Sequence, residues 1–178
     1  EAPAPVAALF AIMTKVGAYA ILRMYTLVFG PDLGATADLI DQMMIYAALI
    51  TIAAGLLRIL GSRPLARLPS FPSIGSMGTL LIAIAGFRPE TTAAAIYYML
   101  HSTFAAALLF LVVDLVRERR GEMGGAIQPG PRMAQHGLIA ALFFGAAIAS
   151  AGMPPLSGFI GKLLVLDAMR DMAEVWLI

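Results

Sequence analysis

Long apolar runs, separated by short stretches rich in proline, glycine or charge, divide this 178-residue chain into helical segments. Residues 4–29 carry only Lys15 and Arg23 as charges. At about 1.5 Å per residue, such a run crosses about 30 Å of hydrocarbon. Gly30-Pro31-Asp32 ends it, and Thr36 or Asp38 can cap a second helix over 37–60, whose apolar core Met43 to Leu57 is followed by Arg58. Three prolines and Arg63 and Arg67 lie between Gly61 and Pro72, a stretch that no continuous helix tolerates. The third run, Ile74 to Phe87, predicts a helix over 73–88. It is short for a span, and its glycines suit tight packing or an extension back towards Ser70. Pro89-Glu90-Thr91 opens a fourth helix over 91–118. The glycine- and proline-rich residues 119–134 form the longest polar loop, and further helices follow over 135–152 and 156–170. Beyond them Asp171 and Glu174 turn the chain polar. The pattern predicts an all-α, multipass transmembrane helix bundle with broken helices, about six spans in one domain covering 1–178.

Composition agrees with that reading. With 60% hydrophobic residues, 13% charged and a mean hydropathy of +0.86, the chain lies far outside the balance of a soluble domain. A net charge of +1 points to no nucleic acid, and two histidines with no cysteine leave no thiolate metal site, disulfide or haem attachment. No metal and no cofactor are expected. The chain opens at Glu1 and enters an apolar helix with neither the basic region nor the cleavage site of a signal peptide, so it reads as an internal part of a longer protein.

Three ionisable side chains stand inside the apolar runs. Pro154 and Pro155 cannot donate backbone hydrogen bonds, so the helix before them ends near Gly152 and a new one starts near Ser157. Lys162 follows that break. An ammonium at membrane depth costs about 2.5–3.5 kcal/mol on insertion scales, so it usually faces a hydrated interior. Broken helices are how membrane transporters expose backbone and ionisable groups to a buried site. The alternative is that Lys162 snorkels to an interface. Lys15 has about ten apolar or small residues on its N-terminal side, and Thr14 and Gly17 beside it suit close helix approach. His101 sits near the middle of the fourth run, one turn from Tyr97 and Tyr98. It is either a hydrogen-bonded structural residue or part of a relay. Oxygens of Thr14, Ser102 or Ser157 are expected within reach of these groups.

Charge also predicts an orientation. The loops after the second and fourth helices hold Arg58, Arg63, Arg67 and Arg117, Arg119, Arg120, Arg132. Those after the first and third hold Asp32, Asp38, Asp41 and a balanced Arg88/Glu90. By the positive-inside rule the former face the cytoplasm.

The stretch Glu1 to Arg23, with Thr14-Lys15, resembles the seventh helix of the proton-translocating antiporter-like membrane subunits shared by respiratory complex I and the multisubunit Mrp (Mnh, Pha) cation/proton antiporters. Gly152 to Lys162 resembles the twelfth. Tyr97-Tyr98-Met-Leu-His101-Ser-Thr-Phe104, with Val113-Asp114-Leu115 after it, is similar to the tenth in the form carried by the D-type subunits of the Mrp antiporters. The resemblance covers nearly the whole chain and accounts for six of about fourteen family helices. It implies that Lys15 and Lys162 are the lysines of two broken helices and His101 the histidine of a polar axis through the membrane centre. The basic residue of the family's eighth helix aligns with Ala66, and Arg67 beside it is a possible substitute.

The resemblance implies a membrane subunit of an Na⁺ or K⁺/H⁺ antiporter in the bacterial plasma membrane, working with other antiporter subunits in the lipid bilayer and not as an enzyme. Protons would pass along Lys15, His101 and Lys162, because an amine removed from water can release its proton near neutral pH and a neighbouring charge alters that tendency. Thr14, Arg67, Ser102 and Ser157 would support them, and Pro154 and Pro155 would supply the break. Two alternatives stand: a proton-pumping membrane subunit of complex I or of a membrane-bound hydrogenase, and a non-conducting scaffold.

Overall fold

The computed structural model describes residues 4–28, 35–62, 64–121, 125, 127–130 and 133–171. The helix-ending Gly30-Pro31-Asp32, together with Arg63, Arg132 and Glu174, lies outside them. Among the described residues there are six α-helices, α1 (Ala4–Val28), α2 (Ala35–Leu60), α3 (Ser70–Ala85), α4 (Pro89–Arg120), α5 (His136–Ala151) and α6 (Ser157–Ala168), with a 3-10 turn at Leu65–Arg67. The fold is all-α. Residues 36–60, 65–85 and 89–120 are long and apolar enough to cross a membrane, and α5 is a shorter apolar helix.

Local chemistry explains the boundaries. Pro89 occupies the first turn of α4, where its missing N–H costs nothing, and the Thr91 hydroxyl accepts from the Arg88 backbone N–H at 2.9 Å. α3 begins at Ser70, three residues before the apolar pattern itself takes hold, since Pro69 and Pro72 fall in or before its first turn. With the 3-10 turn ahead of it, this short helix reaches the length of a span.

α3 lies at the centre and touches each of the other five helices. Its Ile82, Ala83, Ile84 and Ala85 are fully buried. They share a core with Leu22 of α1, Ile45 and Ala48 of α2, Ala94, Ala95 and Tyr98 of α4, and Val165 of α6. Small residues bring α2 against α3, as a Cβ on Gly55 would come 2.8 Å from the Gly75 backbone nitrogen. Exposed apolar side chains are numerous on the outward faces, among them Ile50, Leu57, Leu60 and Phe104. That arrangement suits lipid or further protein better than water.

Neighbouring contacts fix the running order. Lys15 meets Ser76 and Tyr25 stacks on Phe87, so α1 and α3 run the same way. α2 runs against them, with Ala48 beside Gly78 and Gly55 beside Gly75. Along α4 the partners descend as α5 and α6 ascend. Ala146 clusters with Leu109 and Val113, Ala149 and Ser157 meet His101, Gly161 faces Tyr98, and the Ala168 carbonyl accepts from Arg88. α5 and α6 therefore follow one path antiparallel to α4, and the interruption between them falls beside His101, part-way along α4.

Candidate functional site

The interruption is built from backbone arithmetic. In a continuing helix the carbonyls of Ser150 and Ala151 would accept from residues 154 and 155, but both are prolines and have no N–H. Gly152 ends α5 in the left-handed region (φ 72°), with its N–H donating to the carbonyls of Ile148 and Ala149 at 3.0 and 3.1 Å. Leu156 is extended and α6 starts at Ser157. A buried backbone carbonyl without a donor is costly, and more so away from water.

Lys162 meets that deficit at one of the two carbonyls. It is the sixth residue of α6, and its Nζ donates to the Ala151 carbonyl at 2.8 Å. The lysine stem also explains Gly152, since a Cβ there would lie 2.8 Å from Lys162 Cδ. The break and the lysine are thus one device, in which the prolines free an acceptor and the lysine occupies it.

His101 reaches the same break from α4. Its Nε2 lies 3.0 Å from the Ala149 carbonyl and its Nδ1 lies 2.8 Å from Ser157 Oγ. The ring therefore spans the gap, with the end of α5 on one nitrogen and the first residue of α6 on the other. Gly158 makes room for it, because a Cβ at that position would stand 2.5 Å from His101 Nε2 and 2.6 Å from the Ala149 oxygen.

Lys15 approaches from the other side. It is 3% exposed, and its Nζ donates to Ser76 Oγ at 2.8 Å. Ser76 passes the polarity back along α3, since its hydroxyl donates to the Ser73 carbonyl at 2.8 Å and that of Ser73 donates to the Pro69 carbonyl at 3.0 Å. Two cavities join these groups. One, of about 10 Å³, is lined by Ser73, His101 and Ser102 among others and is close to the least that holds one water. The other, of about 340 Å³, is lined by Thr79, Ala151 and Lys162 among others. They meet at Pro72, Ser76, Tyr98 and Ser150, which line both.

The structure brings His101 and Lys162 to the α5–α6 break, and Ser76, the acceptor of Lys15, lines both adjoining cavities. Of the four supporting residues expected from the sequence, Ser157 touches one of the three directly. Ser102 is buried, lines the smaller cavity and donates to its own helix at Met99. Thr14 faces outward and donates to the carbonyls of Phe10 and Ala11, so it gives Lys15 nothing. Arg67 is exposed on the 3-10 turn, and none of the polar contacts around the three involves it. Sequence reasoning missed Ser76. The signal was present, because Ser70, Ser73, Ser76 and Thr79 recur every three residues in an otherwise apolar helix and so share one slowly turning face. Among the described residues no group of three or more His, Asp or Glu side chains stands close enough to hold a metal ion.

A family profile described as "NADH:quinone oxidoreductase/Mrp antiporter, TM" matches residues 1–178. The chain is 35% identical to the D subunit of a probable K(+)/H(+) antiporter of Rhizobium meliloti (strain 1021), over 94% of its own length and 34% of that protein's. It is 34% identical to the D subunit of an Na(+)/H(+) antiporter of Bacillus subtilis (strain 168), over 93% and 33%. The N subunit of an NADH-quinone oxidoreductase of Parafrankia sp. (strain EAN1pec) is 32% identical, over 94% and 31%. Among solved structures, a chain of the Mrp complex from Dietzia sp. DQ12-45-1b superposes with a TM-score of 0.77 at 27% identity, covering 94% of this chain and 32% of that one. The chain spans about a third of the length of the curated relatives it matches.

Proposed function

We propose a function from one fact: this chain belongs to the NADH:quinone oxidoreductase/Mrp antiporter transmembrane family. Within it, the chain is part of a D-type membrane subunit of a monovalent cation/proton antiporter, a transporter component and not an enzyme. It works in the bacterial plasma membrane beside other antiporter subunits. The relatives from Rhizobium meliloti and Bacillus subtilis support the subunit.

Protons move along Lys15, His101 and Lys162 in exchange for Na⁺ or K⁺. The observation that carries this is the pair of adjoining cavities, one walled by His101 and the other by Lys162, with Ser76, the acceptor of Lys15, in the wall of both. Among the described residues both amines are held by neutral oxygens, and an amine so held keeps the freedom to lose a proton when a neighbouring charge changes. Water in the larger cavity completes the path.

The test is transport by the full assembled complex in vesicles. Lys162→Ala is expected to abolish exchange while assembly persists. Lys162→Arg is expected to abolish it as well, because arginine keeps its charge and does not release its proton in the accessible range. Exchange by Lys162→Arg at the parent rate would leave only a fixed positive charge as the requirement. Exchange by Lys162→Ala at the parent rate would make the subunit a scaffold.

A second reading, a proton-pumping subunit of a redox complex, is favoured by the relative from Parafrankia sp.. Cation exchange against an imposed pH gradient with no reductant present separates the two.

A further inference from the structure

The two nitrogens of His101 have unequal partners. A carbonyl oxygen only accepts, so Nε2, 3.0 Å from the Ala149 oxygen, carries a hydrogen whether the ring is neutral or charged. The ring can therefore change its protonation only at Nδ1, and Nδ1 faces Ser157 Oγ at 2.8 Å. In the neutral ring Ser157 donates to Nδ1, and in the imidazolium Nδ1–H donates to Ser157.

We infer that Ser157 is the proton-transfer contact of His101, so that the imidazole loads and unloads through Nδ1 and the Ser157 hydroxyl while Nε2–H stays anchored on the end of α5. This rests on the proposed proton path and refines it. On loading, a hydrated proton forms a bond to Ser157 Oγ as the hydroxyl's original proton passes to Nδ1. The hydronium O–H bond and the original serine O–H bond break, one new serine O–H bond and one N–H bond form, water is released, and the serine ends as it began. Unloading is the reverse. Ser157 is suited to the step because it is exposed while the ring behind it is half-buried, and the oxygen is thus open to water or a neighbouring group on its far side.

The arrangement also sets a limit on the route. A proton that enters at Nδ1 does not leave at Nε2 while the Ala149 bond holds. His101 consequently takes up and gives up its proton at Nδ1, and onward passage along the axis requires the ring to let go of the Ala149 carbonyl. Gly158 supports this, since only a residue without Cβ allows Nε2 and the Ala149 oxygen to approach so closely beside it.

The experiment uses the full-length protein in its assembled complex, with Ser157→Thr and Ser157→Val as an isosteric pair that differs in the hydroxyl, and His101→Ala alongside. Proton-coupled exchange is measured in vesicles, and the tautomer of His101 is read from the nitrogen shifts of labelled histidine. Ser157→Thr is expected to exchange within about twofold of the parent. Ser157→Val is expected to fall by about a hundredfold, the lower end of what a positioned proton-transfer group contributes, with the Nε2–H tautomer retained. Ser157→Val at the parent rate, with His101→Ala inactive, overturns the Ser157 contact and leaves the path through His101 standing. His101→Ala at the parent rate overturns the path itself. Loss of the Nε2–H tautomer in Ser157→Val reduces the serine to a positioning role and also overturns the inference. Should the valine variant fail to assemble, the parent alone decides: a neutral His101 protonated on Nδ1 is incompatible with the scheme.

Discussion

At the scale of single residues, two kinds of information meet at the break. Lys15, His101 and Lys162 stand out in the sequence because each is an ionisable group inside an apolar run, and removing such a group from water is expensive. Their hydrogen-bond partners are not legible in the same way. Two of the four are main-chain carbonyls, at Ala149 and Ala151, and a reading of side chains passes over them. Ala151 could still be deduced, as it stands four residues before Pro155. Ser76 hides because a serine in an apolar helix usually bonds its own backbone, as Ser73, Ser102 and Thr103 do here. Gly158 is the residue whose role is most purely steric. Gly158→Ala places a methyl 2.5 Å from His101 Nε2, and overpacking of this kind costs about 1–3 kcal/mol. Gly137→Ala, where a Cβ meets nothing within 4 Å, serves as the control. Exchange is expected to fall at least tenfold in Gly158→Ala and to stay near the parent in Gly137→Ala. Equal rates in the two would mean that His101 needs no fixed seat.

At the scale of elements, the proline pair is predictable as a helix end and unpredictable as a direction. Sequence tells that α5 stops and α6 starts, but whether the chain turns back or carries on depends on packing against α4, which no local pattern encodes. In the structure it carries on, and the gap therefore opens part-way along α4, where His101 and Lys162 fill it. Short helices are a related case. α3 has 16 residues, and its partnership with the preceding 3-10 turn is obscured by three prolines that argue only against a continuous helix. Replacing both prolines of the break tests its purpose. In Pro154→Ala/Pro155→Ala the carbonyls of Ser150 and Ala151 regain intrahelical donors, Lys162 loses its acceptor, and α5 can run on. Amide exchange at residues 153–156 is expected to slow, and cation exchange to drop with assembly intact. A variant that becomes more protected there and still exchanges normally would show that the free carbonyls are dispensable.

For the whole molecule, the running order of the helices turns charge into topology. Leu65, just past α2, clusters with Leu109 and Val113 in the second half of α4, so the turn after α2 and the loop after α4 belong to one end of the bundle. That end collects Arg58, Arg67, Arg117, Arg119 and Arg120. Arg88 lies at the opposite end with Ala168, near Glu90, Asp167 and Asp171 around one open cavity. A basic end and a mixed end, on a bundle whose outward faces are apolar, are what the positive-inside rule sorts, and the basic end is expected in the cytoplasm. The absence of cysteine from this chain makes the test clean at the positions it contains. Single cysteines at Glu118 and Glu90, both exposed and neither one of the arginines that set the bias, are placed in the full-length protein with its other cysteines removed. A membrane-impermeant thiol reagent added to intact cells is expected to label Glu90→Cys and to reach Glu118→Cys only after the membrane is opened. The reverse labelling would invert the subunit. Labelling of both from outside would mean that α4 does not cross the membrane at all.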